Sequence, residues 1–116
     1  MDVKIDKGLV GGSTQLLLLS LLSETDRYGY EIIRELKERS DDTFSFKEGS
    51  LYPVLHKMEE SGFLKSYMAK GETGKERKYY KITKKGLKQL EEEKEKWTVF
   101  SESVDKVIGR EVHAMA

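Results

Sequence analysis

The stretch GSLYPVLHKMEESGFL, residues 49–64, decides how this chain is read. Leu51, Leu55 and Met58 fall at i, i+4 and i+7, one stripe of an α-helix, and predict a helix over residues 49–61. Tyr52, His56, Lys57 and Glu59 then point the other way. An aromatic ring, an imidazole and an ammonium can all reach phosphates or base edges. Pro53, near the helix start, gives that face a rigid, close-fitting surface. Ser61 and Gly62 end the helix, Gly62 suiting the left-handed position just beyond it. Phe63 and Leu64 return to the core and lead into a basic hairpin.

That hairpin comprises short strands over residues 65–70 and 77–82, carrying the β-favouring Tyr67, Tyr79, Tyr80 and Ile82. They flank GETGKE, in which Gly71 and Gly74 supply positive φ. Helix followed by hairpin is the winged-helix order of parts. Residues 65–88 hold nine basic side chains against Glu72 and Glu76, so this window carries +7 in a chain of zero net charge, and the remainder carries −7. A concentrated basic patch on an otherwise acidic molecule attracts a polyanion in one orientation. Solvated hairpins are also commonly Lys-rich. The polar helix immediately before this one favours the nucleic-acid reading.

Upstream, residues 1–8 are polar and expected to fray. Gly11, Gly12 and Ser13 are expected to break the chain, with Ser13 or Thr14 capping a helix over residues 15–23. That helix is apolar nearly all round and belongs in the centre of the fold or between two subunits. YGYEIIRELKER, residues 28–39, gives a second helix with Ile32, Ile33 and Leu36 inward and a Glu35–Arg39 pair on its wet face. A polar turn over residues 40–45 joins it to the key helix through Phe44 and Phe46, as in a helix-turn-helix.

Downstream, Thr83 caps a last helix running to residue 108. Its apolar positions, Leu87, Leu90, Trp97, Phe100, Val104, Val107 and Ile108, are spaced three, four or seven apart, with Lys94 in a gap. So long a terminal helix has nothing left in cis to cover its stripe. It calls for a partner helix, most simply its own copy in a two-fold dimer.

Composition narrows the function. With 116 residues, 37% apolar and 36% charged, the chain has a modest core that a partner subunit helps to cover. Without Cys there is no disulfide frame, thiolate metal site or Cys nucleophile. The apolar run over residues 16–22 is far shorter than the ~20 residues needed to cross a bilayer, and the N-terminus does not read as a signal peptide. A cytoplasmic protein is expected. His56 and His113 lack partners at ligand spacing, and no nucleophile–base ordering or phosphate-cradling Gly loop occurs. No catalytic residue, metal or cofactor is expected, and no enzyme.

In order and at their spacings, LLLLSLL, YGYEIIRELKER, EGSLYPVLHKMEESGFLKS and GKERKYYKITKKGLKQL resemble the PadR family of transcriptional regulators over about residues 9–90. The likeness is to its small subfamily with one C-terminal helix. The family's Gly-Thr-Leu-Tyr-Pro stands here as Gly49-Ser50-Leu51-Tyr52-Pro53, the hydroxyl kept. Its Arg-Lys-Tyr-Tyr-x-Leu-Thr stands as Arg77-Lys78-Tyr79-Tyr80-Lys81-Ile82-Thr83. The wing departs: Lys75-Glu76-Arg77 replaces a more frequent Gly-Arg-Pro-Arg and places an acid there. The resemblance implies a mainly α fold with a minor β part. It would be a winged helix-turn-helix with a two-stranded wing over residues 9–82 and a dimerisation helix over residues 83–110. It further implies a homodimer that represses transcription at palindromic operators in double-stranded DNA.

On this reading Ser50 and Tyr52 hydrogen-bond phosphates at the helix N-terminus, beside Pro53, while His56 and Lys57 meet base edges. Lys75, Arg77 and Lys78 hold phosphates or the minor groove from the wing. Tyr30 reaches a phosphate or serves the core. Trp97 is a dimer-interface anchor, and the likeness to drug-responsive members adds a second role, stacking a planar aromatic effector between subunits. Gln15, Leu16, Leu90 and Phe100 would wall that site. Two other classes stand beside the regulator. One is a small aromatic-ligand sensor or multidrug binder whose DNA role is secondary. The other is an adaptor that binds another protein through its last helix.

Overall fold

The computed structural model describes residues 7–110. The elements are α1 (Lys7–Glu24), β1 (Arg27–Tyr28), α2 (Gly29–Arg39), α3 (Glu48–Glu60), β2 (Leu64–Lys70), β3 (Glu76–Ile82) and α4 (Lys84–Ile108). Four helices and one small antiparallel sheet of order β1-β3-β2 make a winged helix-turn-helix. The sheet has one strand more than the expected hairpin. Arg27 and Tyr28 pair with Tyr80 and Tyr79, adding a short edge strand just ahead of α2.

The apolar run of α1 explains the core. Leu18, Leu19, Leu21 and Leu22 are buried, with Leu16 and Leu17 packed partly against them. Around this helix close Ile32 and Leu36 of α2, Leu51, Leu55 and Met58 of α3, Leu64 and Tyr80 of the sheet, and Leu90 of α4. At about 1.5–3 kcal/mol for each large apolar side chain taken out of water, this shared centre holds the four helices together.

The expected break at Gly11-Gly12-Ser13 does not occur: α1 runs straight through it from Lys7, and Ser13 and Thr14 lie inside the helix instead of capping it. A glycine inside a helix costs only about 0.5–1 kcal/mol relative to alanine, which the leucine-rich remainder outweighs. Lys7 and Gly8, expected to fray, are therefore helical; residues 1–6 lie outside the described part, as does His113.

Pro53 also sits deeper than expected. It is the sixth residue of α3, where it removes the N–H that would bond the Gly49 carbonyl. Both residues are exposed, so water can serve that carbonyl. The end of α3 follows its sequence signal. Gly62 has φ +83°, its N–H donates to Glu59 O at 3.0 Å and the Phe63 N–H to Met58 O at 3.0 Å, the paired bonds of a Schellman end. In the wing loop only Gly74 takes positive φ (+81°); Gly71 instead closes the hairpin, its N–H donating to Lys75 O at 2.9 Å.

One junction fixes the long helix to the rest. The Thr83 hydroxyl accepts the Gly86 N–H at 3.0 Å and donates to Gly62 O at 2.7 Å, tying the α4 start to the α3 end. Gly86 is buried there: a Cβ would overlap the Phe63 carbonyl oxygen and lie 2.7 Å from Ile82 Cγ1. Close approach, rather than backbone freedom, demands glycine at this point. Beyond Leu90 the helix leaves the core behind, and Trp97, Val99, Phe100, Val104, Val107 and Ile108 are all exposed.

Candidate nucleic-acid interface

With its stripe of Leu51, Leu55 and Met58 buried, α3 presents Ser50, Tyr52, Pro53, His56 and Lys57 on its outer side. The His56 side chain is 73% exposed, its Nε2 3.9 Å from Glu60 Oε1 one turn on. Glu59 is turned away from this face, its carboxylate accepting the Ser66 hydroxyl at 2.6 Å.

Tyr52 differs from its neighbours. Its ring lies against Gly29 at the start of α2, so close that a Cβ on Gly29 would overlap the hydroxyl and sit 2.8 Å from Cζ. The YGY of α2 and the LYP of α3 are thus two halves of one contact, and Gly29 is a site residue that spacing alone did not reveal. Burial, with Tyr52 close by, also holds the Tyr80 hydroxyl above the usual tyrosine range.

The next layer is the outer face of the sheet. Register places Tyr67, Tyr79 and Tyr28 side by side across β2, β3 and β1. Tyr67 stacks on Tyr79 with centroids 5.7 Å apart, and Tyr79 meets Tyr28 edge-on at 5.4 Å. The Tyr67 hydroxyl donates to Asp26 at 2.5 Å, and that bond to a carboxylate pushes its pKa up to about 12. Arg77 lies over the Tyr28 ring at 5.2 Å and Lys78 over Tyr80 at 5.6 Å, so two of the three wing cations are seated on aromatic faces. Lys75 is exposed at the loop. Contacts therefore run unbroken from the wing through Tyr28 and Gly29 to Tyr52 of α3. Tyr30 is exposed, with Arg34 over its ring at 5.8 Å.

Behind this surface, an ionic knot fixes α2 against α1. Arg39 donates to Glu24 at 2.7 and 3.0 Å and to Glu35 at 2.9 Å, and Arg27 donates to Glu24 at 2.9 Å. Those guanidinium bonds, Arg39 first, hold the Glu24 pKa down at about 2.

On the opposite side, a groove of about 860 Å³ lies between α1, the turn entering α3, and α4. Gln15, Leu16, Trp97 and Phe100, all expected at a ligand site, line it; Leu90 does not, being core. Sequence spacing did not reveal the other walls, among them Phe44, Gln89, Glu93 and Lys96. The Glu93 carboxylate accepts amide N–H groups from both Gln15 and Gln89, the latter at 2.8 Å. Trp97 is 51% exposed and leans on Phe100 at 6.2 Å. Among the described residues no His, Cys, Asp or Glu group could hold a metal ion, and no helix is long and apolar enough to cross a membrane.

A winged helix-turn-helix with a cation-bearing sheet beside an exposed polar helix is the architecture of a transcriptional regulator. Residues 18–92 match the model of the transcriptional regulator PadR-like family, and the chain belongs to that family. A PadR-like transcriptional regulator from Bacillus cereus has a similar structure: TM-score 0.80, 34% identity, covering 90% of this chain and all of that one. A transcriptional regulator from Clostridium thermocellum is equally similar, at TM-score 0.80 and 34% identity over 88% of this chain and 96% of that one. An uncharacterized protein X from Lysinibacillus sphaericus is 35% identical over 97 residues, 84% of this chain and 89% of its own. Transcriptional regulator YqjI of Escherichia coli is 28% identical over 93 residues, 80% of this chain and 43% of its own length. The family is one of regulators, not enzymes.

Proposed function

We propose that this regulator is a homodimeric repressor that binds a two-fold operator and is released by a planar aromatic ligand. The observation that carries the DNA part is the run of contacts from Arg77 through Tyr28 and Gly29 to Tyr52, which links the wing to α3. Ser50, Tyr52 and Pro53 would lie along phosphates, with His56 and Lys57 at base edges in the major groove. Lys75, Arg77 and Lys78 would hold the flanking backbone. Residues 9–82 serve as the DNA-binding unit and 83–110 as the dimerisation helix. The exposed stripe from Trp97 to Ile108 supports that division, since a second copy would cover it. Two α3 helices then enter successive major grooves about 34 Å apart.

The test is a titration of the duplex upstream of its own gene. The wild type is expected to bind with steep salt dependence, and the double substitution Arg77→Glu, Lys78→Glu to abolish binding. Unchanged affinity in that variant rejects the assignment. Light scattering separates the dimer from a monomeric adaptor.

The ligand part rests on the groove of about 860 Å³ with Trp97 on its wall. A flat apolar ring would stack on the indole. A ligand releases DNA only if it binds one helix arrangement better than the other. Planar dyes are expected to quench Trp97, the one tryptophan of the chain, and Trp97→Ala to lose dye binding. Absence of quenching at saturating dye discards the ligand.

A further inference from the structure

Four of the five described arginines fall into two kinds. Arg27 and Arg39 spend their N–H groups on Glu24 and Glu35. Arg34 and Arg77 make no ion pair among the described residues; each instead rests on a tyrosine ring, Arg34 on Tyr30 at 5.8 Å and Arg77 on Tyr28 at 5.2 Å. Those two rings are themselves stacked, with centroids 6.5 Å apart and planes 22° from parallel. The result is one row, Arg34–Tyr30–Tyr28–Arg77, crossing from α2 onto the sheet. Its far side is braced by Tyr79 and Tyr67, the latter pinned to Asp26.

The chemistry of such a seat differs from that of an ion pair. A guanidinium over a ring offers its flat face to the π-cloud and keeps its in-plane N–H donors for an anion. Its position is fixed, so little side-chain entropy remains to be lost on binding. Two of the nearby acids are already engaged: Glu31 accepts the Tyr28 N–H at 3.2 Å, and Asp26 accepts Tyr67. Arg34 is exposed, so its donors face solvent.

We infer that Arg34 and Arg77 are paired contacts to duplex phosphates, with Tyr30 and Tyr28 as positioning residues that hold them. This rests on the DNA-binding reading above and adds to it a residue, Arg34, outside both the wing and α3. Backbone contacts carry no base information, so their loss weakens all sequences alike.

The test uses the full chain, the duplex upstream of its own gene and a scrambled duplex of equal length, with anisotropy read over a salt series. Arg34→Ala is expected to weaken both duplexes by on the order of tenfold to a hundredfold and to lower the salt slope by about two, one contact from each protomer. Tyr30→Leu is expected to do the same, Tyr30→Phe to bind as wild type, and Tyr30→Leu added to Arg34→Ala to cost nothing more. Because Arg34 is exposed and makes no ion pair among the described residues, its substitution is expected to move the unfolding midpoint little, which a melt verifies.

Unchanged slope and affinity in Arg34→Ala, while the Arg77→Glu, Lys78→Glu variant still loses binding, overturns the inference and leaves the DNA reading standing. Equal losses in Tyr30→Phe and Tyr30→Leu also overturn it, since the hydroxyl would then be the contact. A wild type that binds neither duplex removes the DNA reading itself, and this inference with it.

Discussion

Gly29→Ala tests whether the packing of Tyr52 onto Gly29 fixes α3 against α2. Gly29 has no positive φ, so only space forbids a side chain there. The new methyl would overlap the Tyr52 hydroxyl and lie 2.8 Å from Cζ and 3.2 Å from Cε1, well inside van der Waals contact. Overpacking of this kind costs about 1–3 kcal/mol. Gly29 is the first residue of α2, where alanine's helix-propensity advantage is smaller than in a helix interior, so a net loss of about 1–2 kcal/mol is expected. At this chain length that is a fall in melting temperature of about 5–10 °C. Tyr52→Ala alone loses a half-buried ring, about 1–3 kcal/mol. In the double variant the overlap with the ring is gone, so the cost of Gly29→Ala is expected to disappear there. Urea unfolding of the four proteins at one fixed concentration closes the cycle, because an assembling chain melts in a concentration-dependent way. Equal effects of Gly29→Ala in the two backgrounds refute the reasoning.

Gly86→Ala meets a backbone oxygen rather than a mobile ring, so it is expected to destabilise by about 2–3 kcal/mol, with no rescue from Ile82→Ala; a melting temperature within a degree of wild type contradicts this. Glu24 has a folded-state pKa depressed from 4.5 to about 2, so its stabilising contribution is complete above pH 4.5 and is lost as pH falls through about 2. Glu24→Gln is therefore expected to lower the urea midpoint at neutral pH and to match wild type at pH 2, and a difference that does not change with pH rules out the Arg39 pairing as its cause. Tyr67 has the opposite sign: its pKa is raised from 10 to about 12, so the Asp26 bond contributes fully below pH 10 and is lost as pH rises through 12. The gap between wild type and Tyr67→Phe is expected to close over that range in alkaline unfolding, and a constant gap counts against the bond.

Most helices were legible in the sequence because their signals are periodic. Leu51, Leu55 and Met58 set α3, Ile32 and Leu36 set α2, and the Gly62 stop and Thr83 cap placed two boundaries within a residue. The start of α1 was misread because Gly-Gly-Ser is punctuation only when the flanking chain is indifferent, and here the leucine run carries the helix through it. β1 escaped notice since two residues have no period; Arg27 and Tyr28 pair only because β3 is already in place. The same limit hid Gly29. Its neighbours read as an ordinary helix start, and the reason for glycine lies 23 positions along the chain, in the ring of Tyr52. Arg34 looked like any exposed helix cation, because a tyrosine four residues earlier is a common i,i+4 neighbour. What sets it apart is the second ring beyond, from another element. Likewise Trp97 and Phe100 stood out on a bare stripe, whereas Phe44 and Glu93 joined them only once α1, α4 and the turn into α3 had closed around one groove.

The zero net charge is where these threads meet. Pairing, not composition, decides which charges a partner feels. Glu24 and Glu35 are spent on Arg39 and Arg27, Glu59 on Ser66, and Glu93 on two amides, while Glu91, Glu92 and Glu95 cluster on α4. Among the cations without an ion pair, Arg34, Arg77 and Lys78 rest on tyrosine rings and Lys57 is exposed on α3. On the proposed DNA reading a duplex meets these cations first, whereas α4 carries as many basic as acidic side chains and sums to zero along its length. The reach of those cations falls as added salt shortens the screening length to about 8 Å near 0.15 M, below the width of one helix. If the proposed contacts hold, orientation is set in the last few ångströms of approach, by cations seated on the tyrosines.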